Sequence, residues 1–458
     1  MFEKKIKDIC NMLEVKNDLS RFESVVVKGV SIDTRKIEDA NLFVPFKGEN
    51  VDGHQFVRNA IENGASAALW DVNVPNPPED IPVIVVEDPL LALQSLANQY
   101  RHELGLKVVG ITGSNGKTTT KDIVANLLSV KYRVHKTQGN YNNHIGLPLT
   151  ILSLPQDSEV AVLEMGMSGF GEIELLSEIS QPDAAIITNI GESHLQDLGS
   201  REGIAKAKLE IVKGLKPDGL FAYYGDEPLL QGRVQELNLK HVETFGRSES
   251  NTIYPTKINM DNKGSYFETS LAEGETFFLP VLGVHNIHNA LAGILIARKF
   301  GLSVDDMKEG LQSLKLTQMR MEMVEGKKGE SIINDAYNAS PTSMKAAIQL
   351  VSELEGFHTK ILVLGDMLEL GDQEEEFHQE IGQLINPEKV QHVFTFGPLG
   401  GFIGKGALEN FSPDRVHSFT DKDSLTKELS SFITGEELVL FKASRGMKLE
   451  EVIDGLKA

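Results

Sequence analysis

The spacing of apolar residues changes twice along this chain, and each change marks a new architecture. The opening stretch MFEKKIKDICNMLEV alternates charged and apolar residues at helical spacing, which predicts an amphipathic helix. Up to about residue 100 the chain then reads as a small α/β unit, with short strands over 25–27 and 42–45, a helix over about 55–64, and a surface loop over 71–80 where Pro75, Pro77 and Pro78 interrupt regular structure. From Lys107 the apolar positions become continuous runs, VVGIT, VAVLEMG and AAIITNI, each followed by a helical segment, the first over 118–130. Uninterrupted apolar strands alternating with helices predict a parallel sheet covered on both faces. A third α/β section begins near Thr317 and contains SIINDAYN, a helix over 342–355, the strand KILVLGD, a helix over 374–385, the strand HVFTFG and the late strand ELVLFKAS. The expected fold class is α/β in three domains, over 1–100, 101–315 and 316–458. No internal repeat or low-complexity segment is present, and the acidic run Asp372 to Glu376 reads as a solvated helix start favoured by the macrodipole.

Length and charge narrow the function. At 458 residues, 41% of them hydrophobic, the chain is too long for one core. A formal net charge of −21 argues against non-specific binding to nucleic acid or insertion at an anionic membrane, so any anionic ligand must be met by local positive charge. The single cysteine, Cys10, has no intrachain partner and fits a small residue on a helix face in a reducing compartment. No apolar run approaches the roughly 18 to 20 residues that span a bilayer. A cytoplasmic protein is expected.

A site suited to an anion is offered by VVGITGSNGKTTT, where Gly113, Ser114, Asn115, Gly116, Lys117, Thr118 and Thr119 follow a buried strand and open a helix. Glycines let backbone amides curl around phosphate oxygens, the helix N-terminus adds partial positive charge, Lys117 reaches the outer phosphates, and Thr118 offers a hydroxyl to Mg²⁺. The usual spacing would need a glycine at 111, where this chain has Ile111, so the loop is a shorter variant. Nucleotide binding follows from it, and the reaction does not. Glu164 closes the strand AVLEMG and His194 follows AAIITNI. In an open parallel sheet both should face the phosphate loop from the carboxyl ends of their strands. A carboxylate suits Mg²⁺, and a histidine suits it less. In GIAKAKLEIV, Lys206 and Lys208 point in different directions, and spacing does not rank them. Asn286 and Asn289, three apart, share a face if helical.

The short loop TGSNGKTTT resembles that of the Mur ligases and of folylpolyglutamate synthetases, which share a central ATPase domain and an ATP-driven amide-forming reaction. The N-terminal segment SIDTRKIEDANLFVPFKGENVDGHQF, with Ser31, Asp33, Thr34, Arg35, Gly48, Asp52 and His54, resembles the uridine-nucleotide-binding domain of the later Mur ligases, which folylpolyglutamate synthetases lack. QGNYNNHIGLPLT with Asn142 and Asn143, INDAYNASPTSM with Tyr337 and Asn338, LGDMLELG, and KASRGMKLE with Lys442, Ser444 and Arg445 extend the resemblance over the whole chain.

The resemblance implies a uridine-nucleotide-binding N-terminal domain, a central P-loop ATPase domain and a Rossmann-like C-terminal domain that closes over ATP. It implies that Glu164 and His194 hold Mg²⁺, two ions in all, and that Lys208 is carbamylated so that its anionic oxygens share the metal. It also implies that Asn289 contacts adenine, that Arg320 lies near the γ-phosphate and Asp335 near the ribose, and that Lys117, Lys208 and His194 serve catalysis. The implied substrates are UDP-N-acetylmuramoyl-tripeptide, its third residue lysine or diaminopimelate, and D-alanyl-D-alanine, joined through an acyl phosphate by a monomeric enzyme. The alternatives are a ligase that adds a diamino acid instead, a P-loop ATPase whose hydrolysis drives motion or regulation, and a non-catalytic nucleotide-binding protein.

Overall fold

The structure is a computed structural model describing residues 1–49, 51–261 and 263–457. Its opening differs from the expected single helix. Glu3–Lys5 is a strand, paired antiparallel with Val26–Lys28, and the helix is confined to Ile6–Met12. Three alternating residues fit either period, and the tertiary partner decides; Phe2, Ile6 and Ile9 are buried, as the helical reading required. Behind them a four-stranded parallel sheet, Val30–Ser31, Leu42–Phe43, Ala67–Asp71 and Val83–Val86, completes the first section.

The helix Pro89–Leu104 joins this section to the next. Asp88 caps it, accepting from the amides of Leu90 and Leu91 at 2.6 and 3.2 Å, and Gly105 ends it in the left-handed region at φ 60°. Its buried Leu93, Leu96 and Tyr100 belong to one apolar cluster that runs from Phe2 and Leu69 to Val108, Leu147 and Leu163. The first two sections therefore share a core, which fixes one against the other.

The central sheet has six parallel strands in the order His241–Phe245, Leu220–Tyr224, Ala184–Ile187, Lys107–Thr112, Val160–Glu164, Val134–Lys136. Connections leave Lys107–Thr112 toward both edges, so the order reverses beside it, and a crevice opens at the carboxyl ends of the strands. A three-stranded antiparallel sheet, Pro255–Asp261, Gly264–Thr269 and Ala272–Leu279, follows. Apolar periodicity does not single it out because Pro255–Asp261 has no buried residue, although Phe267, Phe277 and Leu279 behind it join the core of the helix Val284–Lys299.

The last section carries a six-stranded sheet in the order Glu322–Glu325, Ser331–Asp335, Glu437–Lys442, Thr359–Gly365, His392–Phe396, Val416–Phe419, with only the first strand antiparallel. The register places Asp335 beside Lys442 at the carboxyl ends of adjacent strands. Helices Pro341–Glu353 and Glu374–Gln383 fall within two residues of their expected bounds. Among the described residues no helix is long and apolar enough to cross a membrane.

Candidate active site

The phosphate loop occupies the turn between the strand Lys107–Thr112 and the helix Lys117–Ser129. Gly116 is the helix N-cap at φ 80°, a conformation that favours glycine, and an added Cβ there would meet Asn289 Oδ1 at 2.9 Å. The loop is held from the neighbouring strand end. Ser114 N donates to the Asn189 carbonyl at 3.1 Å, Asn115 N donates to Asn189 Oδ1 at 2.9 Å, and Thr188 Oγ1 donates to the Asn115 carbonyl at 2.5 Å. Lys117 Nζ folds back over the loop and donates to the carbonyls of Gly113 and Ser114 at 2.6 and 3.3 Å. Burial pushes its pKa down, Glu164 raises it, and Arg320 lowers it.

Thr118 Oγ1 donates to Glu164 Oε2 at 2.9 Å, and Glu164 Oε1 accepts from Asn142 Nδ2 at 2.8 Å. Arg320 reaches across from the start of the last section. Its Nη2 donates to Thr118 Oγ1 at 3.2 Å, and its guanidinium lies 4.1 Å above the centre of the Tyr337 ring. Further links join the two sections. Ser340 Oγ donates to Asn115 Oδ1 at 3.1 Å, Thr342 Oγ1 donates to Glu192 at 2.7 Å, and His194 Nδ1 lies 2.9 Å from Glu369 Oε2. A cavity of ≈ 250 Å³ is lined by the phosphate loop, Asn289, Arg320, Asp335 and Lys442; Glu164 and His194, expected to face the loop, are outside that lining, Glu164 behind Thr118 and His194 turned to Glu369.

That lining also contains residues the sequence did not flag. Tyr224 stands at a central strand end with its ring 5.4 Å from that of His288, and His285 sits opposite the Asp335–Lys442 pair. Burial pushes the pKa of both histidines down to about 4, so both are neutral near pH 7. His285 and His288 lie three apart on the helix Val284–Lys299, and the fold brings Tyr224 to them from a separate strand, a meeting that spacing does not reveal. Asn289 Nδ2 donates to Asn286 Oδ1 at 3.2 Å, and Asn286 Nδ2 donates to the Leu282 carbonyl at 2.8 Å, so both amides are locally engaged. Asp335 Oδ2 accepts from Lys442 Nζ at 2.5 Å, and Lys442 Nζ also donates to the Asn338 carbonyl at 3.0 Å.

The two lysines that spacing left unranked differ sharply here. Lys206 is exposed, its ammonium 5.6 Å from the centre of the Phe170 ring, whereas Lys208 is 1% exposed. Burial and then the Lys117 ammonium hold the Lys208 amine well below its ordinary pKa.

A divalent cation fits the donor chemistry of this crevice. Thr118 and Glu164 present oxygen atoms beside the phosphate loop, and among the described residues no three His, Cys, Asp or Glu side chains cluster. Mg²⁺ characteristically takes one or two protein oxygens and completes its shell with substrate phosphates and water.

Three family models match the chain: the Mur ligase family catalytic domain over residues 26–101, the Mur ligase middle domain over 111–297, and the Mur ligase glutamate ligase domain over 319–445. The UDP-N-acetylmuramoyl-tripeptide--D-alanyl-D-alanine ligase of Bacillus subtilis is 54% identical over 456 residues, covering 100% of this chain and 99% of that protein. The chain belongs to the Mur ligase family. A MurF structure from Acinetobacter baumannii superposes with a TM-score of 0.87 at 28% identity, covering 99% of this chain and 98% of that one. A MurF ligase from Thermotoga maritima in complex with ADP gives 0.83 at 31% identity, covering 94% and 97%.

In this Mur ligase a second cavity, of ≈ 460 Å³, lies between the first section and the central sheet. Ser31 and Asp33 line it, as do His135, Gln138 and Tyr141, which the sequence reading did not assign to the site. Arg35 forks onto Asp33 with bonds of 2.9 and 2.8 Å and holds that carboxyl down to about 2. Thr34, Gly48, Asp52 and His54 are outside the lining. Asp52 Oδ1 lies 2.6 Å from His54 Nδ1, His54 Nε2 accepts from the Asp71 amide at 3.0 Å, and the ring packs edge-on against Trp70, so this pair braces the loop. Asn143 Oδ1 accepts from the Gly146 amide at 2.8 Å, at the start of the helix Gly146–Leu152. Ser444 Oγ accepts from the Leu368 amide at 2.9 Å, and Arg445 pairs with Glu450.

Proposed function

We propose that this chain is an ATP-dependent ligase that joins D-alanyl-D-alanine to UDP-N-acetylmuramoyl-tripeptide, giving the pentapeptide precursor of peptidoglycan. The observation that carries this reading is the 54% identity, sustained over 456 residues, to the Bacillus subtilis ligase of that name. The geometry supports it with a phosphate loop, a carboxylate and a cross-section arginine meeting at one crevice.

In this reading residues 1–100 bind the uridine nucleotide, 101–315 bind ATP, and 316–458 close over ATP and hold the dipeptide. A carboxylate oxygen of the tripeptide attacks the γ-phosphorus, ADP leaves, and an acyl phosphate forms. The free amine of the dipeptide attacks the acyl carbon, the amide forms, and phosphate departs with the electron pair of the broken C–O bond. No enzyme nucleophile is needed, so positioning and electrostatics supply the rate. Lys117 swings from the loop carbonyls to the phosphates, and Arg320 meets the γ-phosphate beside Thr118. Asn289 faces adenine and Asp335 the ribose. Thr118, Glu164, His194 and a carbamylated Lys208 would hold two Mg²⁺ ions, which neutralise phosphate charge when bound. Burial and the nearby Lys117 ammonium, which hold the Lys208 amine well below its ordinary pKa, favour carbamylation: the unprotonated nitrogen attacks the carbon of CO₂ and releases a proton, leaving an anion beside Lys117.

Ser31, Asp33, Thr34, Arg35, Gly48, Asp52 and His54 serve the uridine nucleotide, the last two by bracing its loop, and Asn142 and Asn143 shape the passage toward Glu164. Tyr337, Asn338, Ser444 and Arg445 serve the dipeptide end. The enzyme works as a monomer in the cytoplasm. The test is phosphate release from Mg·ATP with the tripeptide nucleotide, with and without D-alanyl-D-alanine. Release that needs both substrates, with a pentapeptide product by mass, is the expected result; release that ignores the amine would make the chain an ATPase of another kind.

A further inference from the structure

We infer that Asp122 and Thr317 form a clamp that sets the position of Arg320 at the reacting phosphate, making them positioning residues for the reaction; the inference rests on the ligase reading above. Asp122 stands four residues after Thr118 on the helix that follows the phosphate loop, so the two share a helix face. Its side chain is fully buried. Oδ1 accepts from Lys136 Nζ at 2.6 Å and lies 3.5 Å from Lys121 Nζ, while Oδ2 accepts from both the amide and the hydroxyl of Thr317 at 2.8 Å.

Thr317 lies in the linker between the central and last sections, three residues before Arg320. Met319 and Met321, on either side of Arg320, have φ of 60° and 52°, left-handed values that are strained for residues with a side chain. Two acceptors from the last section hold these turns: Glu322 Oε2 takes the Met319 amide at 3.0 Å, and Asp335 Oδ1 takes the Met321 amide at 3.3 Å. On another side the linker borders a cavity of ≈ 290 Å³ that Thr317, Arg320 and Met321 line with Val281 and Leu316, so packing does not fix it there.

Among the described residues Arg320 Nε is buried without a hydrogen-bond partner, and Nη2 donates to Thr118 alone. The guanidinium, resting on the Tyr337 ring, is thus presented to the crevice, and its placement depends on that ring and on its own backbone. That backbone is tied at one end to the last section and at the other to the phosphate-loop helix. The Asp122–Thr317 clamp is the end that belongs to the nucleotide site. Thr118 and Asp122 on one rigid helix therefore register the arginine against the phosphates, one by direct contact and one through the linker.

The test is a double-mutant cycle in the full-length enzyme with Mg·ATP and both substrates. Thr317→Val removes the hydroxyl bond and keeps the amide bond; it should lower kcat about tenfold, since a small misplacement of a charge-stabilising group is amplified in the rate. KM for ATP should stay within about twofold, the sign of an interaction made in the transition state. Thr317→Ser restores the hydroxyl and should restore kcat. In an Arg320→Lys background, where the fork is already lost, Thr317→Val should produce no further fall in kcat. Asp122→Asn serves as a second entry to the same cycle, with folding checked by thermal melting. Equal losses in both backgrounds, or a Thr317→Val enzyme with unchanged kcat, would overturn the inference. Failure of the ligase reading itself would look different, because the unmutated enzyme would then form no pentapeptide.

Discussion

The two cavities of this Mur ligase are built in opposite ways. The nucleotide crevice rests on a continuous run, Gly113 to Thr119, shaped by its own glycines and the helix it opens and held by Thr188 and Asn189 at the neighbouring strand end. The cavity beside Ser31 and Asp33 is assembled from the chain start, from residues 29–41 and from residues 135–153, brought together only because the first two sections share a core. A site encoded locally can be read from the sequence and broken by one residue. A site encoded by packing is disclosed only in part, Ser31 and Asp33 by family resemblance but not His135 or Tyr141, and it distributes its contacts over many segments.

The largest expected effect breaks the first site. Lys117→Ala should lower kcat by about 10³-fold or more, because phosphoryl transfer relies on positive charge at the phosphates, while circular dichroism and the melting curve stay close to those of the unmutated protein. Near-normal turnover would mean the loop is a structural turn. Next comes Lys208→Ala, expected to lower kcat about 10²-fold, in the range set by groups that support a metal. The unmutated enzyme should also lose activity in CO₂-depleted buffer and regain it with bicarbonate, whereas the variant should not respond. Equal responses would remove the carbamate from the account.

A smaller effect should separate the two sites. Tyr141→Ala should raise KM for the uridine nucleotide about tenfold, in keeping with loss of one aromatic contact, and leave KM for ATP unchanged. A shift in the ATP constant instead would assign Tyr141 to the wrong cavity.

The smallest effect concerns pH. His285 and His288 have pKa values of about 4 against an ordinary 6.5, so the folded state resists protonation that the unfolded chain accepts. Their contribution to stability is therefore complete above about pH 6.5 and is lost as pH falls toward 4. Replacing both with Gln should flatten the fall in melting temperature between pH 7 and 4.5. An unchanged slope would mean that other groups dominate acid unfolding.

The same contrast explains what the sequence disclosed. The parallel sheets were legible because buried strands are continuous apolar runs, and Lys117, Thr118 and Glu164 were legible because the chemistry of strand ends is local. The opening strand Glu3–Lys5 was not, since three alternating residues fit either period and Val26–Lys28 makes the choice. The antiparallel sheet escaped because Pro255–Asp261 has no buried residue to give it a period. Spacing could not tell Lys208 from Lys206; the family resemblance pointed to Lys208, and the burial that separates the two is a property of the fold. Tyr224, His135 and the Asp122–Thr317 link join positions tens to hundreds of residues apart, and no spacing rule connects them.

The central claim is that the amide forms through an acyl phosphate, and isotope transfer tests it most directly. The tripeptide nucleotide is prepared with ¹⁸O in both oxygens of its terminal carboxylate and converted with Mg·ATP and D-alanyl-D-alanine. One labelled oxygen should appear in the released inorganic phosphate and the other in the new amide, both detected by mass spectrometry. Phosphate free of label, alongside pentapeptide formation, would contradict the account.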